Sequence, residues 1–169
     1  MTTVASQPHR EHSKLGDEAF MSAEDLRGYM NQMTMAEAMA EVTAMEKAEQ
    51  AQKELVKTLS KPVELTPEFV EGLRKRLASR LKDAARKGES EIMVMRFPNA
   101  LCTDGGRAIN NAEETWPETL TGRPRQAYEI WRDRLRPAGY KLKAMIIDWP
   151  RGMPGDVGMF LSWSDSQLH

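Results

Sequence analysis

Histidine is missing from nearly the whole chain: the three that occur are His9, His12 and His169. Between Lys14 and Leu168 there is no imidazole to serve as general base, general acid or metal ligand, which removes the commonest catalytic devices from any folded region. Cysteine is scarcer still. Cys102 stands alone, so an intramolecular disulfide and a thiolate cluster for zinc are both excluded. No apolar run approaches the roughly 20 residues a bilayer span requires, and the opening stretch lacks the apolar core of a secretory signal, so a cytoplasmic protein is expected. The composition itself, 40% hydrophobic and 29% charged, is that of an ordinary globular chain.

What the chain does contain is unevenly spread. Residues 1–60 carry 6 Lys+Arg against 10 Asp+Glu, whereas residues 61–169 carry 18 against 15. All four tryptophans, Trp116, Trp131, Trp149 and Trp163, fall in the second part. Large aromatics supply much of the burial in a small core, which places the folded domain at 66–163. The first part has methionine instead, with Met21, Met30, Met33, Met35, Met39 and Met45 close together. The expected organisation is a disordered tail over 1–20, a Met-rich helical arm over 21–60, a linker over 61–65, a compact domain over 66–163 and a tail over 164–169.

Local signals give the elements. Ser22 with Asp25 three residues on reads as a helix start, leading into Leu26, Tyr29, Met30 and Met33. Thr34 with Glu37 reads as a capping box that begins a second helix over 35–59. In that helix Met35, Ala38, Met39, Val42, Met45, Val56 and Leu59 recur three and four residues apart, a coiled-coil-like register interrupted by Glu49 and Gln52. Thr66 followed by Pro67 starts a helix whose stripe is Phe69, Val70, Leu73, Leu77, Leu81 and Ala84, stopped at Gly88. Arg76 and Arg80 flank that stripe, where long basic side chains cover a core edge. Residues 91–97 read as a strand. Asp104 caps a helix of about ten residues, and Thr121 to Pro124 begins another that buries Ala127, Tyr128, Trp131 and Leu135, with Arg134 stacking on an aromatic ring. Residues 140–149 alternate as a strand, and 157–163 return as its hairpin partner. The expected fold is α+β: a three-stranded antiparallel sheet with helices in the order α-β-α-α-β-β, preceded by the amphipathic arm.

That order resembles a winged helix in topology, with 122–136 as the recognition helix. Arg123, Arg125, Arg132 and Arg136 are then the candidate nucleic-acid contacts. Glu129 and Asp133 interrupt this face, and ion pairing of Arg125 with Glu129 gives it a structural role; the small positive balance of the domain cannot carry phosphate binding alone. Gly105, Gly106 and Arg107 form a weak candidate anion site, because glycine amides at a helix start can face an anion; Asp104 competes for those amides. Cys102 could gain thiolate character there, yet has no histidine to activate it. Asp148 and Asp156 flank the hairpin loop and could meet across it, but no third carboxylate is near in sequence for a metal site. Met30, Met33 and Met35 have thioether spacing for Cu(I), though methionine faces more often pack. No metal and no cofactor is expected.

These readings converge on a non-catalytic interaction or regulatory protein. Its arm, residues 34–59, would serve self-association or a protein partner through Met35, Met39, Val42, Met45, Val56 and Leu59. A winged-helix-like DNA-binding regulator is the alternative, and a small enzyme using residues 102–107 comes third.

Overall fold

One helix, α1, runs unbroken from Ala23 to Leu59 in the computed structural model, which describes residues 20–165. Most of both expected tails, and the His9–His12 pair, lie outside the described residues. The start of α1 is capped as its sequence implies, the Asp25 amide donating to Ser22 Oγ at 3.0 Å. The expected restart at Thr34 does not occur. Thr34 Oγ1 donates to the Met30 carbonyl one turn back at 3.0 Å, a bond that leaves the hydroxyl inside a continuing helix instead of capping a new one. No proline interrupts residues 23–59, so nothing forces a break at this point.

The chain divides into two compact units at Gln50 and Ala51, within α1. The first unit is helical throughout from Ala23, and none of its helical residues is buried. The second contains the end of α1 and all remaining elements. Its next helix, α2 (Pro67–Arg86), has Thr66 as N-cap, with Thr66 Oγ1 accepting from the Phe69 amide at 3.1 Å, and proline at the first helical position. At its other end the Glu89 amide reaches the Ala84 carbonyl and the Gly88 amide that of Ala85. With Gly88 at φ +80°, this is a Schellman termination.

Three strands follow the β-formers in the sequence: β1 (Glu91–Phe97), β2 (Lys141–Ile146) and β3 (Val157–Ser162). They form one antiparallel sheet in the order β1-β3-β2. Between β1 and β2 lie α3 (Arg107–Asn110) and α4 (Gly122–Ile130), which completes the expected α-β-α-α-β-β order. The central strand is the most buried, Val157, Met159 and Leu161 being at most 1% exposed. Pairing Met159 with Met95 and Ala144, and Val157 with Phe97 and Ile146, lines one face of the sheet with apolar side chains. The alternation expected along β2 is present: Leu142, Ala144 and Ile146 turn inward while Lys141, Lys143 and Met145 are exposed.

Two helices depart from the local reading. Helix α3 has four residues instead of about ten; its capping carboxylate satisfies the first amides, but Ala112, just past the C-cap Asn111, takes a positive φ of 54° and turns the chain away. The helix begun by α4 continues as a π-turn over Trp131–Leu135 and a 3-10 turn over Arg136–Ala138. Trp131 is half-buried, with its Nε1 donating to the Tyr140 carbonyl at 3.1 Å; one ring edge is held while the other side borders a cleft.

Residues 61–65, expected as a linker, are strapped to α4. Gln126 accepts from the Val63 amide and donates to the Val63 carbonyl, both at 2.8 Å, and Arg123 Nε donates to the Lys61 carbonyl at 3.1 Å. Val56 and Leu59, at the end of α1, pack against the core that includes Leu120, Val157 and Met159. Gly122 explains how closely the chain approaches there: a Cβ on it would collide with the Leu59 carbonyl oxygen and come within 2.7 Å of Ser60 Cα.

Candidate functional site

The candidate residues on α1 divide by position. Met35 is 65% exposed, Met39 69% and Val42 54%, and Met45 continues the same stripe. Val56 and Leu59 are half-buried and pack against the domain core. Because α1 is continuous, Met35 lies almost diametrically across the helix from Met33, about 200° around, so Met30, Met33 and Met35 cannot converge on one metal ion from a single helix. The same rotation puts Leu26, Met30 and Met33 on nearly the opposite side from Met35, Met39 and Val42.

The segment 102–107 is arranged as a cap. Asp104 Oδ1 accepts from the Gly106 amide at 2.9 Å and Oδ2 from the Ala108 amide at 2.8 Å, so the chain's own carboxylate occupies the amides that an anion would need. Burial alone would raise the Asp104 carboxyl, but the Ala108 and Gly106 amides outweigh it and hold the group below the ordinary carboxylate value. Asn99 Nδ2 ties this segment to the hairpin loop by donating to the carbonyls of Gly105 and Pro154, each at 3.0 Å. Cys102 is 4% exposed. Burial pushes its thiol up to about 11 despite a hydrogen bond with Thr119, and Asp104 adds to the rise. A thiol this protonated is a packing group and a poor nucleophile.

Each of the four candidate nucleic-acid arginines is engaged within the chain. Arg123 holds Lys61; Arg125 pairs with Glu129 at 3.1 Å and donates to the Pro117 carbonyl at 2.8 Å. Arg132 pairs with Asp133 at 2.9 Å. Arg125 and Arg132 also lie over the Tyr128 ring, 5.4 and 5.9 Å from its centroid, and Arg136 lies 5.5 Å from that of Trp131. Arg136, not Arg134, is thus the stacking partner of Trp131. This surface is a lattice of ion pairs and cation–π contacts that orders the side chains against their own helix.

Asp148 and Asp156 do meet across the hairpin loop, with a cation already between them. Arg96 donates through Nε to Asp156 Oδ2 at 2.8 Å and through Nη2 to Asp148 Oδ2 at 3.2 Å, and Asp148 Oδ1 also accepts from the Asp156 amide. The two carboxylates therefore fasten the loop to β1. Among the described residues no group of three or more His, Cys, Asp or Glu side chains is placed to hold a metal, and no helix is long and apolar enough to cross a membrane.

The feature that reading the sequence did not find is a cleft of about 620 Å3 in the second unit, between α2, the sheet and α4. Leu73 and Leu77 form one wall, Met95 and Met159 the floor, and Ile130 and Trp131 the facing wall. The signal lay in the α2 stripe: Phe69, Leu73, Leu77 and Leu81 are all only half-buried, and Ala84 is the one buried residue of the helix. Arg76, Arg80 and Arg123 reach the cleft, and no carboxylate lines it. Comparison with known protein families, curated proteins and solved structures found no match to the chain.

Proposed function

We propose that the protein is a non-catalytic interaction protein that self-associates through the Met-rich face of α1. The observation that carries this reading is the exposure of Met35, Met39 and Val42, all more than half accessible, on a helix 37 residues long with no buried residue. Neighbouring large apolar side chains on a solvent face mark an interaction surface. Methionine's flexible thioether adapts to an apposed surface, and the helix can use it as a stripe of anchors. A second copy is the occupant the spacing favours, since Met35, Ala38, Val42 and Met45 alternate by three and four as the seam of paired helices does. Val56 and Leu59 pack against the domain core and are not part of this face. The regulatory role is then to hold two domains together, with no reaction assigned to either.

Light scattering in line with size exclusion, on the full chain over a range of concentrations, tests the proposal. The expected result is a dimer or higher oligomer that Met39→Asp combined with Val42→Asp converts to monomer, with the thermal transition of the domain unchanged. A wild-type chain that remains monomeric throughout the range refutes it.

A further inference from the structure

We infer that the cleft in the second unit binds a single-chain anionic amphiphile, an unbranched alkyl chain ending in a carboxylate. Protein interiors rarely leave unfilled space, and a cleft of about 620 Å3 falls within the range of about 300 to 1,000 Å3 that holds small molecules. Its walls are the half-buried apolar stripe of α2, the sheet and Trp131, a surface suited to methylene groups and devoid of carboxylates. The polar side chains that reach it are three arginines and Gln126, and Gln126 is already committed to both backbone groups of Val63.

The guanidiniums give the ligand its sign. Arg80 Nη2 donates to the Met93 carbonyl at 2.6 Å and Arg123 Nε to that of Lys61, so both are fixed in place while keeping further N–H donors. Arg76 has neither an ion-pair nor a hydrogen-bond partner among the described residues. Its Nη1 lies where a Cβ on Gly72 would approach within 3.3 Å, so the glycine gives the guanidinium room to lie back along α2 at the cleft. A carboxylate is the complement of such a group, and an alkyl chain is the complement of the walls behind it. This inference concerns the second unit alone and stands or falls independently of self-association through α1.

Dodecanoate, kept below its micelle concentration, is titrated into the full chain by calorimetry beside dodecyltrimethylammonium, which has the same tail and the opposite charge. Saturable binding of one dodecanoate per chain is expected, weakened about fivefold by Arg76→Gln, the scale of one partly exposed charge pair. The cationic analogue should bind more weakly and be insensitive to Arg76→Gln. A brominated dodecanoate should quench tryptophan fluorescence, and Trp131→Phe should remove most of that quenching without abolishing binding. Absence of saturable binding, equal affinity for both amphiphiles, or quenching unaltered in Trp131→Phe would each overturn the inference. Sedimentation with phosphatidylglycerol vesicles in place of dodecanoate binding would assign the surface to a membrane and also overturn it.

Discussion

Replacing Gly122 by alanine, with Gly88→Ala as its matched control, measures how firmly the end of α1 is attached to the domain. Both glycines occupy the left-handed region, at φ +59° and +80°, where an L side chain costs about 1 to 2 kcal/mol. They differ in their surroundings. A Cβ at Gly88 meets nothing within 4 Å, whereas at Gly122 it meets the backbone of Leu59 and Ser60, which cannot rotate aside as a flexible side chain could. Relief requires the end of α1 to retreat, and with it Val56 and Leu59 leave the core. Fully burying such a side chain contributes about 1.5 to 3 kcal/mol, so two half-buried ones contribute about 1.5 to 3 together. Gly88→Ala should therefore cost about 1 to 2 kcal/mol and Gly122→Ala about 2.5 to 5. Urea unfolding followed by tryptophan fluorescence reads both as shifts in midpoint, provided the slope is unchanged. Costs that agree within about 0.5 kcal/mol would refute the reasoning, because the close approach of Leu59 and Ser60 would then contribute nothing measurable.

Two further outcomes follow from the segment 102–107. Cys102 should resist thiol reagents at pH 8 in the folded protein and react once it is unfolded; its thiol, raised to about 11, makes stability fall as pH rises above the unfolded value of about 8.5. Rapid labelling without unfolding would show the sulfur to be accessible. Asp104→Ala should cost about 1 kcal/mol at neutral pH through loss of the cap. Because the folded carboxyl lies below the ordinary value, its contribution is complete above about pH 3.9 and disappears as pH falls through the folded value. Wild type and variant should thus converge in acid, and a difference that persisted there would contradict the assignment.

Elements whose signals lie within a few residues of one another are legible in the linear chain. Thr66 and Pro67 start α2 because a hydroxyl three residues from an amide and a ring that presets φ act locally. The β-formers of Glu91–Phe97 and the alternation along Lys141–Ile146 fix two strands in the same way. Asp104 could be identified as a cap because its two acceptor bonds reach only two and four residues ahead. At Thr34 even the local signal misled, since a threonine hydroxyl can cap a new helix or bond back into an old one, and nothing nearby selects between them.

Other features depend on residues that folding brings together from distant positions. Val56 and Leu59 continue the three-and-four periodicity of Met35 and Val42, yet the first two pack against the core and the other two are exposed, a difference the repeat itself does not encode. The strap at Val63 depends on Gln126, 63 residues away, and the partner of Asp156 is Arg96, 60 residues away. The cleft exists because the α2 stripe presents more apolar surface than the sheet and α4 cover, a mismatch of shapes that a pattern of residue types does not contain. Periodicity records which face of an element is apolar; what covers that face is settled by the distances between elements once the chain has folded.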